Sequence, residues 1–295
     1  MELRELKYFL AVANEGSISG AAEALFITQP SLSRQMQNLE REVGGALFDR
    51  GNRKITLTER GKLLKKRAEE MLELYGKTVS EVSAPEQSVS GEVYIGGGES
   101  PAVKSVIRAA LKVQREYPEV KFRFFSGDAP SVIERLDKGL LDFGIVLDAE
   151  NISEYRSMRL PQTDRWGAIM RRDCPLAERE FVTPDDLKGR PLICSDQSFA
   201  KGLISRWMGG GDTDVVATYN LLYVGSQLAE EGAGIAISLD GIINTENTGL
   251  VFKKLEPPLE THADVIWKRY AVFSKPAELF LAALKEECKI GRAHV

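Results

Sequence analysis

Between Ile27 and Glu40 the chain reads ITQPSLSRQMQNLE, where uncharged hydrogen-bonding side chains outnumber charged ones. At 100° per residue, Leu32, Met36, Leu39 and Val43 gather on one stripe of a helix and Pro30, Ser33, Arg34 and Gln37 on another. Pro30 falls in the first turn, where no N–H is missed, and Thr28 or Gln29 precedes it as the cap. A face of Gln29, Ser31, Ser33, Arg34 and Gln37 carries the groups that base edges in a major groove require. Gln suits adenine, Arg suits guanine, and Ser suits either. The alternative is a plain solvated face, although such faces more usually carry Glu and Lys pairs.

Other chemistries lack their residues. His262 and His294 are the only histidines, and neither has a Cys or His partner at metal-ligand spacing. The glycine runs at 96–98 and 209–211 are not followed by the Lys-Ser or Lys-Thr of a phosphate loop. GAGIAI lacks the third glycine of a dinucleotide fingerprint, and no G-x-S-x-G elbow appears. Neither an enzyme nor a cofactor is expected.

The polar face needs elements to hold it. Leu6, Phe9, Leu10 and Ala13 recur at helical spacing and Gly16 ends that helix. Ser17 can cap a short second helix through Ala21, Ala22, Ala24 and Leu25. Beyond the third helix, LFDRGNRKITLT alternates into two short strands around Gly51-Asn52, a hairpin with Arg50, Arg53 and Lys54 at its tip. Three helices and a basic-tipped hairpin make a winged helix-turn-helix over residues 1–57, in which the wing's cations contact backbone phosphates or the minor groove.

The stretch FLAVANEGSISGAAEALFITQPSLSRQMQNLEREVGGALFDRGNRKITLTERG, Phe9 to Gly61, resembles the N-terminal signature of LysR-type transcriptional regulators. The resemblance implies a bacterial, cytoplasmic DNA-binding protein that oligomerises and answers to a small-molecule co-inducer. It carries the reading role to Gln29, Pro30, Ser31, Ser33, Arg34 and Gln37, with Arg50, Arg53 and Lys54 on the wing, and Thr28 ahead of them is also expected to touch DNA.

From Thr58 the chain turns helical again, with Leu64, Ala68, Met71, Tyr75, Val79 and Val82 on a stripe narrow enough for a two-helix seam. Residues 58–87 are expected to be a dimerisation helix ending in a Pro85-containing hinge. In the resembling family such a helix pairs two copies, giving a homodimer or homotetramer and a roughly palindromic operator. Lys62, Lys65, Lys66 and Arg67 would add nonspecific attraction to double-stranded DNA.

The remainder alternates short strands with helices. EVYIGGG, VKFRFF and LDFGIVL read as strands around the helices VKSVIRAALKVQREY and SVIERLDKG, a parallel βαβαβ sheet. RWGAIMR, PLICS, VVATY and GIAIS follow, with AKGLISRWM helical; ADVIWKRYAVFS and PAELFLAALKEE close the pattern. The fold class is therefore α/β and multi-domain. Two such lobes resemble the periplasmic-binding-protein-like effector domain of the same family, with crossings near Pro161-Gln162 and His262-Ala263-Asp264. That gives lobe I as 88–161 plus 264–289 and lobe II as 162–263.

Strand ends and helix N-termini then place an effector site at Glu99, Ser100, Ser126, Gly127, Leu147, Ser195, Asp196 and Gln197. Ser100 and Ser126 match positions where the family commonly holds a co-inducer carboxylate or hydroxyl. Glu99, Asp128, Asp148 and Asp196 make the cleft acidic, so a carboxylate, an amine or a zwitterion all remain open. EEGAGIAISLD lacks the proline that usually follows this strand entry in the family; Ser238-Leu239-Asp240 stand there instead.

Over the 295 residues the net charge is −4, yet residues 1–67 hold 12 basic against 8 acidic side chains, which favours a polyanion partner for the head. No apolar run reaches membrane-span length, so no membrane partner is expected. Three scattered cysteines suit a reducing cytoplasm. The tail IGRAHV matches the translation of a common sequencing-adapter start, so residues 290–295 are expected to be an assembly artefact, with Gly291 breaking the last helix. The alternative function is a cytoplasmic small-molecule binding module whose head serves only assembly.

Overall fold

A computed structural model describes residues 1–50, 54–83, 89–148, 152–210 and 213–293, with the backbone alone for Arg50 and 291–293. The Gly51-Asn52 turn, Arg53, Pro85, His294 and Val295 lie outside the described residues. The chain divides into Met1–Ser83 and Ala84–Val295.

In the first unit, α1 (Leu3–Glu15), α2 (Ile18–Ala24) and α3 (Gln29–Glu42) precede a hairpin of β1 (Phe48–Arg50) and β2 (Ile55–Leu57) and the long α4 (Glu59–Val82). A capping box between Glu2 and Glu5 starts α1, and the Ser17 hydroxyl accepts the Gly20 N–H to start α2. Thr28 occupies the cap position of α3, but its hydroxyl makes no capping bond. Leu6, Phe9, Leu32, Met36, Leu39 and Phe48 close one core, each burial worth about 1.5–3 kcal/mol. Phe9 and Phe48 lie 5.3 Å apart, ring centre to ring centre. The hairpin is tied to α3 by Glu40, whose carboxylate accepts the N–H groups of Leu47 and Phe48 at 2.9 and 3.3 Å. Gly61 lets α4 graze this hairpin, since a Cβ there would come within 2.1 Å of the Leu47 carbonyl oxygen.

The seam expected along α4 divides in two. Leu64, Ala68 and Leu72 pack into the head's core, while Met71, Tyr75, Val79 and Val82 stay exposed. A 100° step carries the stripe off the head after three turns, which sequence spacing alone does not show.

In the second unit, β3 (Gly91–Gly97), α5 (Val103–Glu116), β4 (Val120–Ser126), α6 (Ala129–Asp137) and β5 (Phe143–Leu147) form the expected parallel βαβαβ. Phe143 centres its core, stacked on Phe273 at 4.9 Å and tilted to Phe280 at 5.0 Å. Next comes β6 (Tyr155–Arg171), 17 residues where RWGAIMR alone was expected. Then follow β7 (Phe181–Val182), α7 (Pro184–Leu187), β8 (Leu192–Ser195), α8 (Asp196–Ala200), α9 (Leu203–Trp207), β9 (Val215–Tyr219), α10 (Leu222–Glu230), β10 (Ile235–Leu239), β11 (Leu250–Leu255), β12 (Glu260–Lys268) and α11 (Lys275–Ala293).

The sheet order is β4-β3-β5-β12-β6-β10-β8-β9, with β11 pairing β6 and β7 pairing β11. It is mixed: β12 runs antiparallel to both β5 and β6, and β6 antiparallel to β10. Both crossings lie inside paired strands. β6 stays on β12 from Tyr155 to Arg165 and joins β10 from Trp166, while β12 shifts register between His262 and Asp264. Three local expectations are corrected. AKGLISRWM is two short helices parted at Gly202, whose φ of +58° no helix tolerates. The last strand ends at Lys268 rather than Ser274. Helix α11 continues through Gly291 to Ala293, an interior glycine costing only about 1 kcal/mol against alanine.

Candidate DNA-reading face and effector cleft

On α3 the buried stripe is Leu32, Met36 and Leu39. Opposite it Gln29, Pro30, Ser31, Arg34 and Gln37 are exposed and Ser33 half-buried, with exposed Thr28 just ahead. The first turn holds no acidic residue, so its free N–H groups and positive end face outward unneutralised. Among the described residues neither Arg34 nor Lys54 has an intramolecular hydrogen bond or ion pair. Both are therefore free for an external acceptor. The other basic groups are not all free: Lys62 pairs with Glu59 at 2.6 Å, Lys65 donates to Asn14 at 2.9 Å, and Arg67 pairs with Glu70 at 2.9 Å. Arg50 ends β1, and its backbone alone is described.

Phe26, on the turn before α3, escaped the sequence reading. It is 96% exposed with φ +55°. The signal was present in LFIT, where Leu25 and Ile27 flank it and both pack inward.

In the second unit a cavity of about 80 Å³ opens between the lobes. Six of the eight expected effector residues line it: Glu99, Gly127, Leu147, Ser195, Asp196 and Gln197. Ser100 and Ser126 do not. Ser100 is buried; its hydroxyl donates to Asp164 and accepts the Ala102 N–H at 3.1 Å, so its one donor is used inside the fold. Ser126 is exposed at the end of β4, outside this cavity and its two neighbours. Sequence reasoning did not mark Trp166, Tyr219, Asn220, Ser238 or Ile242, which also line the space. Trp166 is 7% exposed, and its indole N–H is buried without an acceptor. A buried Trp usually finds a partner for that group, so the crossing-strand Trp was the available signal.

The polar groups are largely committed. Glu99, in the first lobe, accepts the Leu222 N–H at 2.6 Å and so neutralises the positive start of α10 in the second. Asp128 caps α6 by accepting the Ser131 N–H at 3.1 Å. Asp148 accepts the His262 N–H at 3.0 Å and the Thr261 hydroxyl. The Ser195 hydroxyl accepts the Ser198 N–H at 3.2 Å. The Tyr219 hydroxyl donates to the Ile237 carbonyl at 2.8 Å, and burial raises its pKa far above the usual phenol value. Burial also pushes the neighbouring Cys194 thiol up to about 11, so it offers no thiolate at neutral pH. The charged groups lining the small cavity are Glu99, Asp128 and Asp196, all acidic. A chamber of about 400 Å³, lined by Ile133, Val146 and Ile152 with Lys201 and Asp196, adjoins it and shares Leu147 and Gln197.

A head that presents hydrogen-bonding side chains on one helix, carried with a two-lobed α/β unit around a cleft, defines a ligand-responsive DNA-binding regulator. The family model "Bacterial regulatory helix-turn-helix protein, lysR family" matches residues 3–62, and "LysR substrate binding domain" matches 86–289. The chain belongs to the LysR family of transcriptional regulators.

It is 27% identical over 294 residues to the uncharacterized HTH-type transcriptional regulator YvbU of Bacillus subtilis, covering 97% of this chain and 98% of that one. It is 28% identical over 210 residues to the HTH-type transcriptional regulator IlvY of Escherichia coli, covering 70% of each. The crystal structure of CbnR, a LysR family transcriptional regulator, matches with a TM-score of 0.80 at 19% identity, covering 98% and 99% of the two chains. Full-length CbnR complexed with its target DNA matches at 0.76 and 20%, covering 99% and 100%. At these identities the structures share the fold. Among the described residues no helix is long and apolar enough to cross a membrane.

Proposed function

We propose that this regulator reads a roughly palindromic operator with Gln29, Ser31, Ser33, Arg34 and Gln37, while Thr28, Pro30, Arg50, Arg53 and Lys54 set its position on the backbone. The observation that carries the reading is Arg34, without a partner among the described residues, on an exposed, acid-free helix start. Two copies pair through the exposed Met71, Tyr75, Val79 and Val82 of α4, as a homodimer or as the dimer within a tetramer. The protein works in the cytoplasm, where its DNA is, and catalyses no reaction.

A small molecule in the inter-lobe cleft switches the affinity for operator. The acidic lining argues against a simple carboxylate, because Glu99 already fills the anion position at the start of α10. An amine-bearing effector suits it better: the ammonium goes to Asp196, an acceptor atom to the Trp166 N–H, and any anionic end to Lys201 in the adjoining chamber.

Gel shifts on DNA upstream of the protein's own gene, over a salt series, test the reading. Arg34→Ala is expected to erase the preference for operator over random duplex, a loss of about 1–3 kcal/mol. Lys54→Ala is expected to weaken all sequences alike and flatten the salt slope by roughly one phosphate contact. Unchanged sequence preference in Arg34→Ala would refute the assigned face.

A further inference from the structure

Phe26 contributes nothing visible to the head that carries it. Leu25 and Ile27 pack into the head's core, which turns Phe26 outward to 96% exposure. Its φ of +55° lies in the left-handed region, which Asn or Gly occupies with less strain than a bulky side chain. Neither packing nor backbone preference accounts for an aromatic residue here.

The turn that holds it is firmly built. The Leu25 N–H donates to the Ala21 carbonyl at 3.0 Å, the Phe26 N–H to Glu23 at 3.1 Å, and the Ile27 N–H to Ala22 at 3.0 Å. The ring therefore stands on a fixed support, two residues before the exposed Thr28 and three before Gln29. It is exposed immediately ahead of the helix that carries the polar face.

We infer that Phe26 is a specificity-determining residue: with α3 in the major groove, its ring packs on a thymine C5 methyl beside the base pair that Gln29 contacts. That methyl is the apolar handle the major groove displays, and it distinguishes thymine where hydrogen bonds are already in use. Covering a ring this exposed supplies the driving force. The inference rests on α3 reading DNA and adds a reader outside that helix.

The test uses the full-length protein and a duplex it enriches from a random-sequence pool, with each thymine replaced singly by deoxyuridine. Failure to enrich any sequence overturns the DNA reading, and this inference with it. The expected result is one thymine per half-site whose lost methyl weakens wild-type binding about fourfold. Phe26→Asn is expected to bind the unmodified duplex about 10- to 100-fold more weakly and to be indifferent to deoxyuridine at that position. Its Tm stays level or rises, since Asn suits the turn, and its salt slope is unchanged because no phosphate contact is lost. Phe26→Tyr, which keeps the ring, retains the discrimination. Wild-type indifference to deoxyuridine at every thymine, or equal sensitivity in Phe26→Asn, overturns the inference. A change of molecular mass in Phe26→Asn does so too, because the ring would then belong to an interface between copies.

Discussion

Asp164 sits on β6 where the chain crosses between lobes, and burial holds its pKa above the ordinary carboxylate value. The Ser100 hydroxyl, the Ala102 N–H and His262 favour the charge but do not offset the lost water. A raised folded-state pKa means the protonated form is the stabilised one. That contribution is present below the unfolded value of 3.8 and is lost as pH rises through the folded value. Asp164→Asn has no charge to desolvate and can still accept from Ser100. Its Tm is expected to exceed wild type at neutral pH, with the gain shrinking as pH falls toward 3.8. Thermal melts across that range check it, and a gap independent of pH would count against the assignment. The exposed polar face of α3 was legible from residues because the buried stripe opposite it repeats every 3.6 positions. That Ser100 is bonded inside the fold while Glu99 reaches across to the start of α10 was not. Glu99 meets Leu222, 123 positions away, and no local pattern announces that partner.

Helix α4 shows what periodicity conveys and what it hides. The spacing exposed an apolar stripe but could not tell where it leaves the head. In the structure Leu64 and Ala68 belong to the head and Tyr75 and Val79 do not. Val79→Asp is accordingly expected to lower the mass measured by sedimentation at a fixed concentration, with the secondary structure intact. Leu39→Ala, inside the core, is expected to cost about 2–5 kcal/mol of folding stability. Equal effects of the two on assembly would contradict this division. The first half of β6 escaped for a related reason. Tyr155–Pro161 is polar and ends in proline, and the ladder that makes it a strand lies on β12, about a hundred residues later.

At the scale of the molecule, the βαβαβ core and the cleft were readable because strand ends and helix starts converge there in any such sheet. The mixed order of the sheet was not, since nothing in an apolar segment such as ADVIWK or RWGAIMR shows which way its neighbour runs. An amine-bearing effector held at 100 times its Kd is expected to stabilise the protein by about 2.7 kcal/mol, measured as a rise in Tm. Trp166→Phe, which keeps the ring body and removes the unpartnered N–H, should shrink that rise while barely changing the Tm of the free protein.

The unbroken course of β6 sets how the lobes can answer a ligand. Lobes strung on loose loops gape open and snap shut. Here 17 consecutive residues run through both halves, and β12 pairs with them on either side of a register shift between His262 and Asp264. Any rotation of one half against the other is spread along this ribbon as added or relieved strand twist, the way a torsion bar takes load. A ligand-driven rotation is therefore expected to be small in angle and self-restoring.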